Sequence, residues 1–367
     1  MRRTFKYRLL PNKAQEEILF HWLESTRFLY NCALEQRREA YRIQGKNLNY
    51  FSQTKELTDL RAENLDYKAI PIVVSRSALR ILQHAFDGFF RRVKAGEKPG
   101  YPRFKGKDRY DSFGIGRATV RGNHVYIPKL GAVKFHRYRE LKGTIREITL
   151  RKKNGKWFVC ISCELGEAPP KIPVSKAVGI DLGLTKFAVL SDGSSIDNPR
   201  YFKAGEEVLA KRQQKLAKKK GGSSSRHRAK ILVGKAHEHI HNQRLDFARK
   251  LASELYCRFD FVAYEDLKIK SMVHGFLSKS IHDASWRIFI NALKDKAENA
   301  GRWAVPVNPR NTSQICSNCG VLVPKELFDR IHRCSCGLVL DRDINAAKNI
   351  LMLGRSVATF STEVSSN

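Results

Sequence analysis

Two short segments near the C-terminus hold residues whose types and spacing suit metal chemistry. Cys316-Ser-Asn-Cys319-Gly and Cys334-Ser-Cys336-Gly supply four thiols as two close pairs. Tetrahedral Zn²⁺ takes four soft ligands, and a Cys-x-x-Cys pair on a tight turn ending in Gly delivers two of them from one direction. The intervening GVLVPKELFDRIHR is long enough to fold back and set the second pair opposite the first. That second pair is one residue shorter than the usual knuckle. Cys316, Cys319, Cys334 and Cys336 are therefore expected to bind one structural Zn²⁺.

The second chemistry is carboxylate chemistry. Asp181 follows the apolar run AVGI and precedes Leu-Gly. Glu265 ends the apolar run FDFVAYE, and Asp343 opens the helical pattern INAAKNILML. Each has an ordinary explanation taken singly: a turn residue, a strand-end surface residue and a helix N-cap. Asp266 faces the opposite side of its strand from Glu265, and Asp341 precedes the helix, which makes both weaker candidates. Three acids from distant segments, two of them on strands that otherwise avoid charge, are what hydrolysis of a phosphodiester by two divalent ions requires. Such ions sit about 3.5–4 Å apart, activate water and stabilise the leaving oxygen. An all-oxygen set of this kind suits Mg²⁺.

Other metal-capable residues read differently. Cys160 and Cys163 also spell Cys-x-x-Cys, but in the alternating run KWFVCISCEL their side chains fall on opposite faces of a strand. Cys32 and Cys257 lie in helical apolar patterns and read as small core residues. His237, His239 and His241 spread around a helix and are expected at the surface.

Composition sets the partner. Lys and Arg number 68 against 36 Asp and Glu, a formal net charge of +32. An excess of that size would oppose compaction through self-repulsion unless a polyanion neutralised it. The basic residues are spread along the chain and interleaved with aromatics, which fits a long nucleic-acid channel. The candidate contacts are Arg103, Lys105 and Lys107, Lys152 and Lys153, Lys211 and Arg212, and Lys218, Lys219 and Lys220. No stretch reaches bilayer-spanning length and the basic N-terminus lacks an apolar signal core, so a cytoplasmic protein with no membrane partner is expected.

The elements that must position these residues come next. TFKYRLL alternates as a strand up to Pro11. Asn12 caps a following helix with Gln15 at the capping-box position, and Leu19, Trp22, Leu23, Leu29, Tyr30, Ala33 and Leu34 form its apolar face. A second amphipathic helix carries Leu79, Leu82, Phe86, Phe89 and Phe90. ATVRGNHVYIP and EITLRKKNGKWFVCISCEL read as hairpins with Gly-Asn and Asn-Gly turns. A small barrel recruiting the N-terminal strand is the natural closure. From Val174 the pattern becomes α/β: two strands around GIDLG, long basic helices broken at 221–225, a buried strand ending at Glu265, a helix, a strand, the cysteine module and a last helix. The stretch after Gly354 reads as a loose polar tail.

Taken in order, GIDLG, AYEDL, NTSQICSNCG and DRDINAAKNI resemble the TnpB (OrfB) proteins of insertion sequences, relatives of the type V CRISPR effectors. KYRLLPNKAQEEIL and PRFKGKDRYDSF match the same pattern, so the likeness covers nearly the whole chain. The resemblance implies a multidomain α/β protein. Its RuvC-like, RNase H-type nuclease (174–308 and 341–354) would be split by a zinc-ribbon insert (309–340). A helical recognition domain (12–110) and an oligonucleotide-binding-like wedge barrel (1–11 and 111–173) would precede it, with a flexible tail at 355–367. It also implies an RNA-guided endonuclease that uses two Mg²⁺ and one Zn²⁺. Asp181, Glu265 and Asp343 would be catalytic, and one chain would act with a transposon-derived guide RNA on a double-stranded DNA target. Two rivals come from other classes: a nuclease-inactive DNA-binding regulator, and an unguided transposase or resolvase.

Overall fold

A computed structural model describes residues 1–107, 109–116, 118–267, 285–326 and 328–364. The chain forms two compact units, Met1–Glu167 and Ala168–Asn367.

The first unit opens with β1 (Arg2–Leu10), in which Phe5, Tyr7 and Leu9 point inward at alternate positions. Pro11 ends the strand, and Asn12 starts α1 (Lys13–Gln44). The Asn12 side chain accepts from the Gln15 amide at 2.8 Å while Gln15 reaches back to the Asn12 amide at 3.1 Å. This reciprocal pair is the capping box expected from the sequence. All seven residues assigned to the apolar face of α1 are buried. α2 (Tyr50–Glu63), α3 (Leu65–Ala69) and α4 (Ile72–Lys94) follow. On α4, Leu79, Leu82 and Phe86 are buried, but Phe90 is 52 % exposed and Phe89 only half-buried. The stripe drifts outward at the end of the helix, where Phe89 and Phe90 pack edge-on against each other and Phe89 against Tyr101.

The sheet of this unit has seven strands: β2 (Ser112–Gly116), β3 (Thr119–Arg121), β4 (His124–Ile127), β5 (Gly131–His136), β6 (Thr144–Lys153) and β7 (Lys156–Glu164), with β1 in the middle. The order is β2-β6-β7-β1-β5-β4-β3, antiparallel throughout. Both expected hairpins are present. Asn154 and Gly155 take positive φ at the tight turn between β6 and β7, the geometry an Asn-Gly pair adopts with least strain. Helices and sheet share one apolar core, in which Trp22 of α1, Phe113 of β2 and Trp157 of β7 form a chain of edge-on rings. Cys163 is buried on the inner face of β7 and Cys160 lies on the other, as alternation requires.

The second unit is built on a five-stranded sheet of β8 (Ala177–Leu182), β9 (Lys186–Leu190), β10 (Ser195–Asp197), β11 (Phe261–Glu265) and β12 (Trp303–Val307), ordered β10-β9-β8-β11-β12. β8, β11 and β12 run parallel, and β9 and β10 are antiparallel additions. One face packs on α6 (Ser224–Arg258) and α7 (Trp286–Asn299) through Val178, Ile180, Val262 and Tyr264. α5 (Tyr201–Ala217) packs along α6. The stretch 221–225 is a shorter break than its composition suggests, because Ser223 caps α6 and Ser224 and Ser225 belong to the helix. The opposite face carries Phe261, Ala263, Val305 and Val307 and is covered by α8 (Arg342–Val364).

Three expectations need correction. The tail after Gly354 is helical as far as Val364; residues 365–367 lie outside the described residues. Gly354 does not stop the helix, because its role is close approach: a Cβ there would lie 2.5 Å from the Ala263 Cβ. Cys32 and Cys257 are exposed rather than core residues, each on the outward side of its helix.

Candidate metal centre and carboxylate site

The four cysteines converge. Their sulfurs all lie within 4.8 Å of one another, with Cys316–Cys336 at 3.7 Å and Cys319–Cys334 at 3.5 Å. A tetrahedron with Zn–S bonds of about 2.3 Å has S–S edges of about 3.8 Å, so these thiols already stand where zinc needs them. Both pairs sit on turns of the same design. Gly320 donates to the Cys316 carbonyl at 2.9 Å and Gly337 to that of Cys334 at 3.0 Å, each with φ near +80 to +90°, which a side chain would resist. The shorter Cys334-Ser-Cys336 pair is accommodated because it forms the turn of a hairpin, β13 (Ile331–Arg333) and β14 (Val339–Asp341). Amide donation from Leu338, helped by Asn318, holds the Cys336 thiol down at about 6, in reach of the thiolate a metal binds.

β14 feeds directly into α8. Asp341 ends the strand and caps the helix, accepting from the amides of Asp343 at 2.9 Å and Ile344 at 3.2 Å. The capping role considered for Asp343 thus belongs to Asp341, and Asp343 in the first turn is left for other work. Asp343, Ala347, Leu351 and Gly354 follow one another at helical spacings of four, four and three, one stripe of α8. That stripe meets the sheet where it has no bulk: a Cβ on Gly179 would lie 2.1 Å from the Ala347 carbonyl.

β8 and β11 deliver the other two acids to the same edge. In the parallel register Tyr264 pairs with Ile180, so Glu265 and Asp181 occupy the next positions on neighbouring strands and share a face. Gly179 and Ala263, two residues earlier on each strand, touch α8, so this is the face that α8 covers. Asp181, Glu265 and Asp343 therefore meet at the carboxyl ends of β8 and β11, beside the N-terminus of α8. Their electrostatics agree with the geometry. Burial, then the neighbouring Glu265 and Asp343 carboxylates, push Asp181 up to about 8, with Arg342 opposing. Burial also raises Glu265, partly offset by a hydrogen bond from Thr312 Oγ1 to its Oε1 at 2.6 Å. Arg342 Nε lies 3.4 Å from Asp343 Oδ1. A buried acid raised by the charges of two others beside it marks a site whose charge a divalent cation would satisfy.

The basic candidates are not brought to one place. Lys105 is anchored through its backbone, which both accepts from and donates to the Asn31 side chain, and its ammonium lies over the Tyr30 ring. Arg103 and Lys107 are exposed beside it. Lys152 lies over the rings of Phe20 and Trp157, with Lys153 next to it at the end of β6. Lys211 pairs with Glu207, and Arg212 donates to the Leu232 carbonyl at 2.9 Å, which ties α5 to α6. Lys218, Lys219 and Lys220 are exposed beyond α5. His237, His239 and His241 are all exposed on α6, as expected. Thr312, Asn345 and Asn349, all buried, were not anticipated; their only signal is that two amides four residues apart recur on the apolar stripe of a helix.

A mixed α/β unit with clustered acids at its strand ends and a four-cysteine module feeding its last helix is an arrangement that a metal-dependent nuclease could use. Comparison with known proteins is specific. Family models described as "Probable transposase", "Cas12f1-like, TNB domain" and "Helix-turn-helix domain" match residues 160–274, 286–350 and 1–46. A "Putative RNA-guided DNA endonuclease" of Streptomyces pristinaespiralis is 32 % identical over 96 % of this chain and 90 % of its own. The "Putative RNA-guided DNA endonuclease InsQ" of Escherichia coli K12 is 27 % identical over 96 % and 92 %. A Cas12f1–sgRNA–target DNA complex shares the fold, with a TM-score of 0.59 at 17 % identity over 92 % of this chain and 83 % of that one. The chain belongs to the TnpB (OrfB) family. Residues 1–46, despite the description of the matching model, hold one strand and one unbroken 32-residue helix.

Proposed function

We propose that the protein is an RNA-guided endonuclease that cuts double-stranded DNA beside a short flanking motif. The observation that carries this reading is the meeting of Asp181, Glu265 and Asp343 on one face of the sheet, in a chain with a formal charge of +32. The three acids fit a pair of Mg²⁺ ions, which when bound supply an activated water and charge stabilisation at the leaving oxygen. The protein's own part is to fix the three carboxylates at the ends of β8 and β11 and the start of α8, where Arg342 offsets part of the repulsion that raises Asp181 and a bound cation would offset the rest. Cys316, Cys319, Cys334 and Cys336 would hold one structural Zn²⁺.

On this reading 174–308 and 341–354 make a RuvC-like nuclease split by a zinc-ribbon insert at 309–340. Residues 1–11 and 111–173 act as a wedge and 12–110 as a recognition segment. One chain would hold a guide RNA, pairing would select the DNA, and the dispersed lysines and arginines would track phosphates. Replacement of Asp181, Glu265 or Asp343 by Ala should abolish cleavage while leaving DNA binding by the RNA-loaded protein nearly unchanged. A chelator should have the same effect reversibly. Cleavage by Asp181→Ala at a rate comparable with the parent would remove the site assignment.

A further inference from the structure

A buried polar strap joins the zinc module to the carboxylate site. Thr312, 4 % exposed, donates its hydroxyl proton to Glu265 Oε1 at 2.6 Å, closer than the Pro309 carbonyl at 3.2 Å. The Thr312 carbonyl accepts in turn from Asn349 Nδ2 at 2.8 Å, and the same amide reaches the Ile315 carbonyl at 2.6 Å. Asn345, one turn earlier on α8, donates to Ile315 at 2.7 Å and accepts from the Ser317 amide at 2.9 Å. Ile315 and Ser317 flank Cys316, which is fully buried. Two amides in the interior of a helix cost stability unless they are partnered, and these are spent on the chain between Glu265 and the first zinc ligand.

We propose that Thr312 is a positioning residue for Glu265, and that Asn345 and Asn349 transmit the geometry of the four-cysteine site to it. The hydroxyl fixes one carboxylate oxygen and leaves the other to face Asp181 and Asp343. A short hydrogen bond to a buried carboxylate is directional enough to set its rotamer. The zinc module then does more than hold its own fold, because it fixes the strap on which the metal-binding geometry of the acids depends. This rests on the reading that Glu265 holds a divalent ion.

The test is Mn²⁺ binding to the purified full-length protein, followed by electron paramagnetic resonance beside cleavage kinetics and zinc content. Thr312→Val removes the hydroxyl without changing shape, Thr312→Ser keeps it, and Glu265→Gln removes the carboxylate charge. Thr312→Val should weaken Mn²⁺ binding roughly tenfold, about 1.4 kcal/mol, while zinc content stays at that of the parent. Thr312→Ser should bind within roughly twofold of the parent, since the hydrogen bond survives. Cys319→Ser should weaken Mn²⁺ binding in the parent and add little in the Thr312→Val background, because both act through one strap. If Glu265→Gln loses Mn²⁺ and Thr312→Val binds it as the parent does, the positioning role is wrong. Equal losses in Thr312→Ser and Thr312→Val would also overturn it. If Glu265→Gln binds Mn²⁺ normally, the metal-site reading itself fails.

Discussion

Asp181 binds a proton in the folded chain that an ordinary aspartate has released. Its carboxyl is raised from 3.8 to about 8 by burial and by the Glu265 and Asp343 charges. Between those values the folded state holds more protons than the unfolded state, so stability falls as pH rises through the window. Below about 4 both states are protonated and the effect vanishes. Metal-free Asp181→Asn should therefore melt at a higher temperature than the parent at pH 8, and the two should converge near pH 4. Mg²⁺ should raise the Tm of the parent and leave the variant almost unmoved. A lower Tm for the metal-free variant at pH 8 would mean that Asp181 is not held against its neighbours' charge. The acids and the four thiols were legible in the sequence because charge on an apolar strand and Cys pairs before Gly are rare without a purpose. Thr312, Asn345 and Asn349 were not, since a polar residue in a helix or loop defaults to solvent. Only the fold reveals that these three are buried and aimed at one another. The same limit explains Cys32 and Cys257, where periodicity found a helix but not which side of it faced out.

At the scale of elements, α8 does the assembling. One stripe of it carries Asp343 to the acid cluster and packs on Gly179 and, through Gly354, on Ala263. The sequence places the start of this helix correctly and misplaces its end, because Gly is the usual residue just past a C-terminus. What kept Gly354 inside the helix was contact with β11, a tertiary fact. Gly179 shows the same logic from the strand side: its missing side chain lets α8 lie against β8. Gly179→Ala would put a carbon 2.1 Å from the Ala347 carbonyl, and the helix would have to lift. Overpacking of this kind should lower stability by about 1–3 kcal/mol, read as a reduced urea midpoint. Cleavage should fall further than stability does, because Asp343 moves with the helix. Gly221→Ala, where no atom lies within 4 Å of the new carbon, serves as the control and should change neither. Parent-like cleavage by Gly179→Ala would show that α8 does not set the site.

At the scale of the whole molecule, the question is how a chain with this charge selects a target. No helix among the described residues is long and apolar enough to cross a membrane. The chain's exposed cations are dispersed over loops, strand ends and helix ends, an arrangement suited to neutralising phosphates. Residues 1–46 contain no second helix to lay in a major groove, since α1 runs unbroken from Lys13 to Gln44. On the proposed reading, selectivity for a long target falls to base pairing with an RNA, while the protein recognises backbone shape and a short flanking motif. Two measurements follow for the RNA-loaded protein. Its DNA affinity should fall linearly with salt on logarithmic axes, with a slope reporting the phosphates neutralised. Exposed Lys218, Lys219 and Lys220, replaced together by Ala, should reduce that slope and weaken matched and mismatched DNA alike. Exchanging the guide segment of the bound RNA should move cleavage to the new complementary DNA bearing the same flanking motif, with mismatches nearest that motif the most damaging. If cutting stays at the old target after the exchange, or proceeds equally well without RNA, pairing is not the reader. The dispersed charge would then belong to an unguided nuclease or transposase.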